Sequence, residues 1–206
     1  MEGEMRMDCA KIGLLIARLR KEKGLTQQDI ADALGITNKT VSKWECGLGC
    51  PDVGLWPELS TMLGAEVTQL MEGEITPNKP DSGNIERVRF YVCPTCHNVL
   101  VSTGSASIHC CGRKLEPLKV IEEQESPKIE VETVDVDYYI TIGHEMTREH
   151  HLLFAAYIKS DRVFLTRLYP EQEAAVRVPN LGGGKLYLYC TRHGLALYRL
   201  RRGAKA

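Results

Sequence analysis

The chain has 206 residues, 43% hydrophobic and 26% charged, which excludes whole-chain disorder and leaves room for one large domain or two to three small ones. No apolar run approaches the roughly 18 uncharged residues of a membrane helix; the best candidate, Ile12 to Ala17, is closed off by Arg18 and Arg20. The opening Met-Glu-Gly-Glu carries acids where an export signal carries bases, so a cytoplasmic location is expected, and the eight cysteines read as metal or redox groups rather than disulfides.

The net charge of −1 conceals a split. Residues 9–44 carry seven bases against three acids, and residues 45–74 carry six acids and no base, so a polyanion-binding face is expected at the front end. Ile12, Leu15, Ile16 and Leu19 line one face of a first helix that stops at Gly24. Thr26 and Asp29 have the spacing of a capping box for a second helix, with Ile30, Ala33 and Leu34 on its apolar side and Gly35 at its end. Thr37 caps a third helix through Val41 and Trp44. Two more follow, on Leu55, Leu59, Met62 and Leu63 and then on Val67, Leu70 and Met71.

Thr26 to Glu45 is thus helix, Gly-containing turn, helix, the helix-turn-helix arrangement. Residues 9–72, with Pro51-Asp52 opening the fourth helix and the closing Leu70-Met-Glu-Gly-Glu74, resemble the Cro/phage-repressor type of DNA-binding domain, the XRE family. The resemblance implies that Thr37, Asn38, Lys39, Thr40 and Lys43 face the major groove and that Gln27 contacts phosphate. Asn pairs bidentately with adenine, Lys donates to guanine, and a helix N-terminus supports a phosphate. It also implies a double-stranded DNA operator and a homodimer on a two-fold site; a bundle that binds another protein is the alternative. Trp44, Ile30 and Val41 are core by spacing. Cys46 and Cys50 have no metal-site spacing and read as incidental small residues, with a redox pair acting on DNA binding as the alternative; Cys9 has no evident metal either.

From 73 to 86 the chain turns polar, with Pro77, Pro80 and Gly83, and reads as a linker. Beyond it the periodicity becomes that of strands: Ile129 and Val131, Val134, Val136 and Tyr138, then Ile140 and Ile142. The change of phase between Val131 and Val134 predicts a bulge or turn there.

Cys93-Pro-Thr-Cys96 and Cys110-Cys111 place four thiols in a segment, 87–117, too poor in apolar residues to fold on burial alone. Four thiolates make a tetrahedral set for zinc or iron, and the metal then contributes folding energy directly. The adjacent pair followed by Gly112 resembles the desulforedoxin-type, rubredoxin-like iron centre, with a purely structural zinc as the alternative; His97 and His109 read as neighbours of the ligands.

Gly143-His-Glu-Met-Thr-Arg-Glu-His150 and Tyr189-Cys-Thr-Arg-His-Gly194 together offer three imidazoles and one thiolate, a second metal set. Their order after a cysteine centre makes residues 88–200 similar to the desulfoferrodoxin or superoxide reductase family. The resemblance implies an Ig-like β-sandwich over 118–206, with His144, His150 and His193 as equatorial ligands of a non-haem iron and Cys190 as its axial ligand. The family's fourth histidine, from a Lys-His-Val-Pro segment, is missing: the corresponding stretch is Glu125 to Val131, and no histidine stands between Cys111 and Gly143. The family's catalytic Lys and Glu have no secure equivalent, although Lys128 is nearby, and His151 is expected on the opposite face of its segment. No catalytic residue is therefore assigned. The expected architecture is multidomain, α then β: a five-helix bundle, a small four-cysteine unit and a sandwich. The expected function is a transcriptional regulator whose metal-binding half responds to superoxide, oxygen or iron status. An active superoxide reductase carrying a DNA-binding domain, and a zinc-bound scaffold, are the competing readings.

Overall fold

The computed structural model describes residues 7–80, 83, 87–121 and 126–201, arranged as two compact units that divide after Pro77. Positions 81, 82 and 84–86 of the expected linker, and Glu125, lie outside the described residues. Among the described residues no helix is long and apolar enough to cross a membrane.

The first unit is helical: α1 (Cys9–Glu22), α2 (Gln27–Ala33), α3 (Asn38–Glu45), α4 (Trp56–Leu63) and α5 (Val67–Glu72). The Asp8 carboxylate caps α1 by accepting from the Ala10 and Lys11 amides, and Thr26 and Asp29 form the reciprocal capping box of α2. Thr37 caps α3 by accepting from the Thr40 amide. Pro51-Asp52 does not open the fourth helix directly: a 3-10 turn over 53–55 intervenes, and α4 then begins with Pro57 in its first turn, where no N–H is required. Ile12, Ile16, Ile30, Val41, Trp56, Leu59 and Leu70 are sealed in one core. Ile75 packs against that core and the Thr76 amide donates to the Gln69 side chain, so the chain leaves this unit later than its composition suggests.

Several contacts that composition cannot show set the helical packing. A Cβ on Gly13 would lie 1.9 Å from the Trp44 carbonyl oxygen, so α1 rests backbone to backbone on α3, and one on Gly47 would meet Ala10 at 2.9 Å. Arg20 forks onto Glu45, with Nε to Oε1 at 2.6 Å and Nη2 to Oε2 at 3.0 Å, while its Nη1 donates to the Leu25 carbonyl. Lastly, Cys9 and Cys50 form a disulfide across 41 residues. This corrects the expectation that no cysteine pairs: the close seating of α1 on α3 brings the start of one helix beside the exit from the other.

The second unit is β throughout. The pair β1 (Arg89–Val92) and β2 (Val99–Ser102) and the hairpin β3 (Ile108–Cys110) and β4 (Arg113–Leu115) carry the first cysteines. A three-stranded sheet, β5 (Lys128–Val134), β6 (Asp137–Gly143) and β9 (Ala175–Pro179), has the order 5-6-9. A four-stranded sheet, β7 (Leu152–Lys159), β8 (Arg162–Arg167), β10 (Gly184–Cys190) and β11 (Gly194–Leu200), has the order 11-10-7-8. The two sheets share a core of Tyr138, Ile140, Ile142, Val176 and Val178 against Leu152, Ala155, Tyr157, Leu186, Leu188 and Cys190, which makes a sandwich. The other face of the larger sheet, with Phe154, Ala156 and Tyr187, packs against Phe90 of β1. The expected break between Val131 and Val134 is displaced: β5 runs regularly to Val134, and the turn is Asp135-Val136, with Asp135 left-handed at φ 54°.

Candidate metal centres and nucleic-acid interface

In the helical unit Thr37, Asn38, Lys39 and Lys43 are exposed and Thr40 is half-buried, all in the N-cap and helix of α3. Gln27 stands at the first position of α2, but its side-chain amide donates to Glu45 Oε2 at 2.8 Å. Glu45 therefore ties α1, α2 and the end of α3 together, a role no local pattern announced. Burial pushes its carboxyl up, yet the bonds from Arg20 and Gln27 and the charges of Arg20 and Lys21 outweigh that and hold it below the usual glutamate range. The folded state thus favours the carboxylate. The stabilisation is complete above the ordinary glutamate pKa and is lost as pH falls through the depressed one. Glu45→Gln is expected to cost about 3 kcal/mol at neutral pH by leaving a buried guanidinium short of its partner. The difference from wild type should shrink in acid, as read from urea melts of the helical signal.

The four-cysteine unit is built by two tight turns. In the first, the Cys93 carbonyl accepts from the His97 amide at 2.9 Å and the Cys93 amide donates to the Asn98 carbonyl, curling the chain so that Cys93 and Cys96 point the same way. In the second, Cys111-Gly112 are the two loop residues of the β3–β4 hairpin, both left-handed, at φ 50° and 72°. Such a loop favours Asn-Gly or Gly-Gly, so a cysteine there bears a backbone cost and is placed for its sulfur. The four Sγ atoms lie within 4.8 Å of one another, and Cys96 and Cys110 are 3.6 Å apart. A tetrahedral ion with metal–sulfur bonds of about 2.3 Å sets its sulfurs about 3.8 Å apart, so the set fits. The Cys96 amide and its neighbours pull the Cys93 thiol down to about 6, while the other thiols push Cys111 up to about 12. Four thiolates at this spacing repel one another unless a cation neutralises them. His97 and His109 stay outside the set, and Arg167 of β8 donates to the His97 carbonyl at 3.0 Å, docking the turn on the larger sheet.

The second set forms at one end of the sandwich. His144 and His150 come from the β6–β7 loop, Cys190 is the last residue of β10, and His193 comes from the turn between β10 and β11; their ligand atoms also lie within 4.8 Å of one another. The rings meet edge to face, with centroids 4.6 Å apart for His144 and His150 and 4.7 Å for His150 and His193. His144 Nε2 is 3.2 Å from Cys190 Sγ. His150 Nε2 is buried with no hydrogen-bond partner, the one orphan such an ion would satisfy in this set. Burial, and then the neighbouring imidazoles, hold His144 below the usual histidine range against the Glu145 carbonyl, which raises it; a neutral imidazole is the ligating form. The Arg192 and His193 amides donate to Cys190 Sγ at 3.3 and 3.4 Å, the backbone support a thiolate ligand needs. His151 is buried beside the site but outside the ligand set, with its main chain bonded to Thr191. Sequence reading assigned no part to Glu145, whose carboxylate bonds His150 Nδ1; an acid placed directly after a ligand histidine was the available signal.

Comparison with known proteins matches the chain in parts. Residues 16–70 match the helix-turn-helix family model HTH_3. Over 61 residues the chain is 38% identical to the SPbeta prophage-derived uncharacterized HTH-type transcriptional regulator YonR of Bacillus subtilis, covering 30% of this chain and 56% of that one. The chain spans between 39% and 56% of the length of three curated helix-turn-helix regulators it matches. Over 106 residues it is 26% identical to desulfoferrodoxin of Clostridium acetobutylicum, covering 47% of this chain and 83% of that one. The crystal structure of superoxide reductase from Treponema pallidum superposes with a TM-score of 0.47 at 17% identity, over 54% of this chain and 96% of that one. Residues 16–70 thus match the helix-turn-helix family HTH_3, and the chain also carries a stretch similar to desulfoferrodoxin.

Proposed function

We propose that the protein is a transcriptional regulator that binds a double-stranded DNA operator as a homodimer and whose second half is a metal-dependent sensor of superoxide, oxygen or iron status. The observation that carries this is the joining, in one chain, of a helix with exposed polar N-terminal residues to a three-histidine, one-cysteine cluster, without the fourth histidine that the family resemblance implies. Iron at the second set, and iron or zinc at the four cysteines, match the donor types. A bound iron would supply one-electron chemistry with oxygen species. The chain's own part is to present three imidazoles and one thiolate and to steady that thiolate with the Arg192 and His193 amides. A sensor needs only that oxidation or loss of the ion shift the balance between two conformations, so an incomplete ligand set still serves it.

The test is operator affinity of the full chain, reduced, oxidised and metal-stripped, on a duplex selected by the protein from a random library. A shift among the three is expected, and equal affinities would sink the sensing role. Asn38→Ala and Lys39→Ala should each cost about 1–3 kcal/mol on that duplex while leaving metal content unchanged, checked by fluorescence anisotropy and metal analysis. Superoxide reductase activity is the second reading, favoured by the retained order of His144, His150, Cys190 and His193. Pulsing the ferrous protein with superoxide decides it, since reduction near the diffusion limit is the enzyme's signature and the missing histidine predicts much less.

A further inference from the structure

The β6–β7 loop is closed on itself. The Thr147 amide donates to the His150 carbonyl, the His150 amide donates to Thr147 Oγ1, and the Glu171 amide donates to the Met146 carbonyl from outside. Within this pinned turn one residue meets both loop histidines. The Glu145 main-chain carbonyl accepts from His144 Nδ1 at 2.5 Å, and its carboxylate accepts from His150 Nδ1. An imidazole that donates from Nδ1 presents Nε2 as its lone pair. Both Nε2 atoms face the cluster: that of His144 lies beside Cys190 Sγ, and that of His150 is buried and unpartnered.

We propose that Glu145 is a positioning residue that fixes His144 and His150 as Nε2 donors, through its carbonyl for the first and its carboxylate for the second, and so sustains metal affinity in a set of only three histidines. The inference rests on the metal reading given above. A carboxylate on the far nitrogen also enriches the ligating nitrogen in electron density, and loss of such a partner typically costs about 10–100-fold in affinity. The two bonds differ in a way that can be tested, because side-chain replacement removes only the one to His150.

Two measurements on the full chain decide it. In metal-free, reduced protein above the histidine titration range, nitrogen-detected imidazole spectra should show Nδ1–H for both His144 and His150. Glu145→Ala should release His150 to the Nε2–H tautomer and leave His144 unchanged, while Glu145→Gln, which keeps an acceptor oxygen, should retain Nδ1–H at both. Cobalt(II) is then titrated in, and the sulfur-to-metal band of the second centre is isolated as the difference from Cys190→Ser. Its midpoint should rise about 10–100-fold in Glu145→Ala and less in Glu145→Gln. An unchanged His150 tautomer, or equal cobalt affinity in wild type and Glu145→Ala, overturns the inference. A simultaneous loss of the His144 tautomer also overturns it, by showing that the side chain merely holds the loop together. A wild-type protein with no Cys190-dependent band overturns the metal reading instead, while the tautomers still decide the positioning role.

Discussion

With an ion at the four cysteines, as proposed above, stripping it is expected to raise amide exchange in β3 and β4 on the order of a thousandfold or more, because structural metal sites of this kind supply about 10 kcal/mol of folding free energy. The unit's own core is only Tyr91, Cys93 and Leu115, with Leu100, Ile108 and Cys110 at its margin. Without an ion, its sulfurs add mutual repulsion to that small core. The effect should be graded along the segment. Phe90 is buried against Phe154 and Tyr187 of the larger sheet, so β1 keeps an anchor that the β3–β4 hairpin lacks. Cys93→Ser should reproduce the pattern, and the helices of the first unit should keep their protection in both cases. Native protection over 108–115 after complete metal removal would show that the hairpin stands by itself.

Gly13→Ala is expected to unfold the helical unit. The added methyl would fall 1.9 Å from the Trp44 carbonyl oxygen and 2.9 Å from its carbon, both main-chain atoms within a helix, so nothing can rotate away. α1 must then lift from α3, which opens the core around Ile12, Ile16, Val41 and Trp44 and strips Arg20 from Glu45. A loss of at least about 4 kcal/mol places the change among the severe ones, against a total stability of about 5–15 kcal/mol for a domain of ordinary size. Thermal melts of the helical signal should show the transition near or below room temperature, with DNA binding lost. Gly54→Ala, with open space around its Cβ, is the matched control and should behave as wild type.

What the sequence made legible was local. The Thr26–Asp29 box, the caps at Thr37 and the grouping of ligands by short spacing each depend on residues a few positions apart, and all stand as hydrogen bonds or close sulfurs in the structure. What it concealed was long-range. Gly13 looks like a gap in the apolar face of α1, and only the seat of Trp44 explains it. Cys50 reads as incidental for want of metal-site spacing and Cys9 as without a metal, and the 41 residues between them hide their pairing. The pairing of Arg20 with Glu45 follows from the angle between helices, which no periodicity encodes. Glu145 fell between these cases: it stands inside a motif, yet its part depends on the loop turning both Nδ1 atoms toward one residue.

The register slip between Tyr189 and Cys190 has a consequence for how variation in this half would be felt. There β10 pairs Tyr189 with Phe154 but Cys190 with Leu152, so Leu153 is the extra residue and points with Phe154 toward the Phe90 side, while Leu152 joins Cys190 in the sandwich core. Beyond it the alternation resumes, with Ala155 on the Cys190 side and Ala156 on the Phe90 side, both sealed. β7 therefore has no silent face. A longer side chain at Ala155 presses on the core that seats Cys190, one at Ala156 presses on the core that anchors the four-cysteine unit, and neighbouring codons thus address the two candidate ligand sets separately.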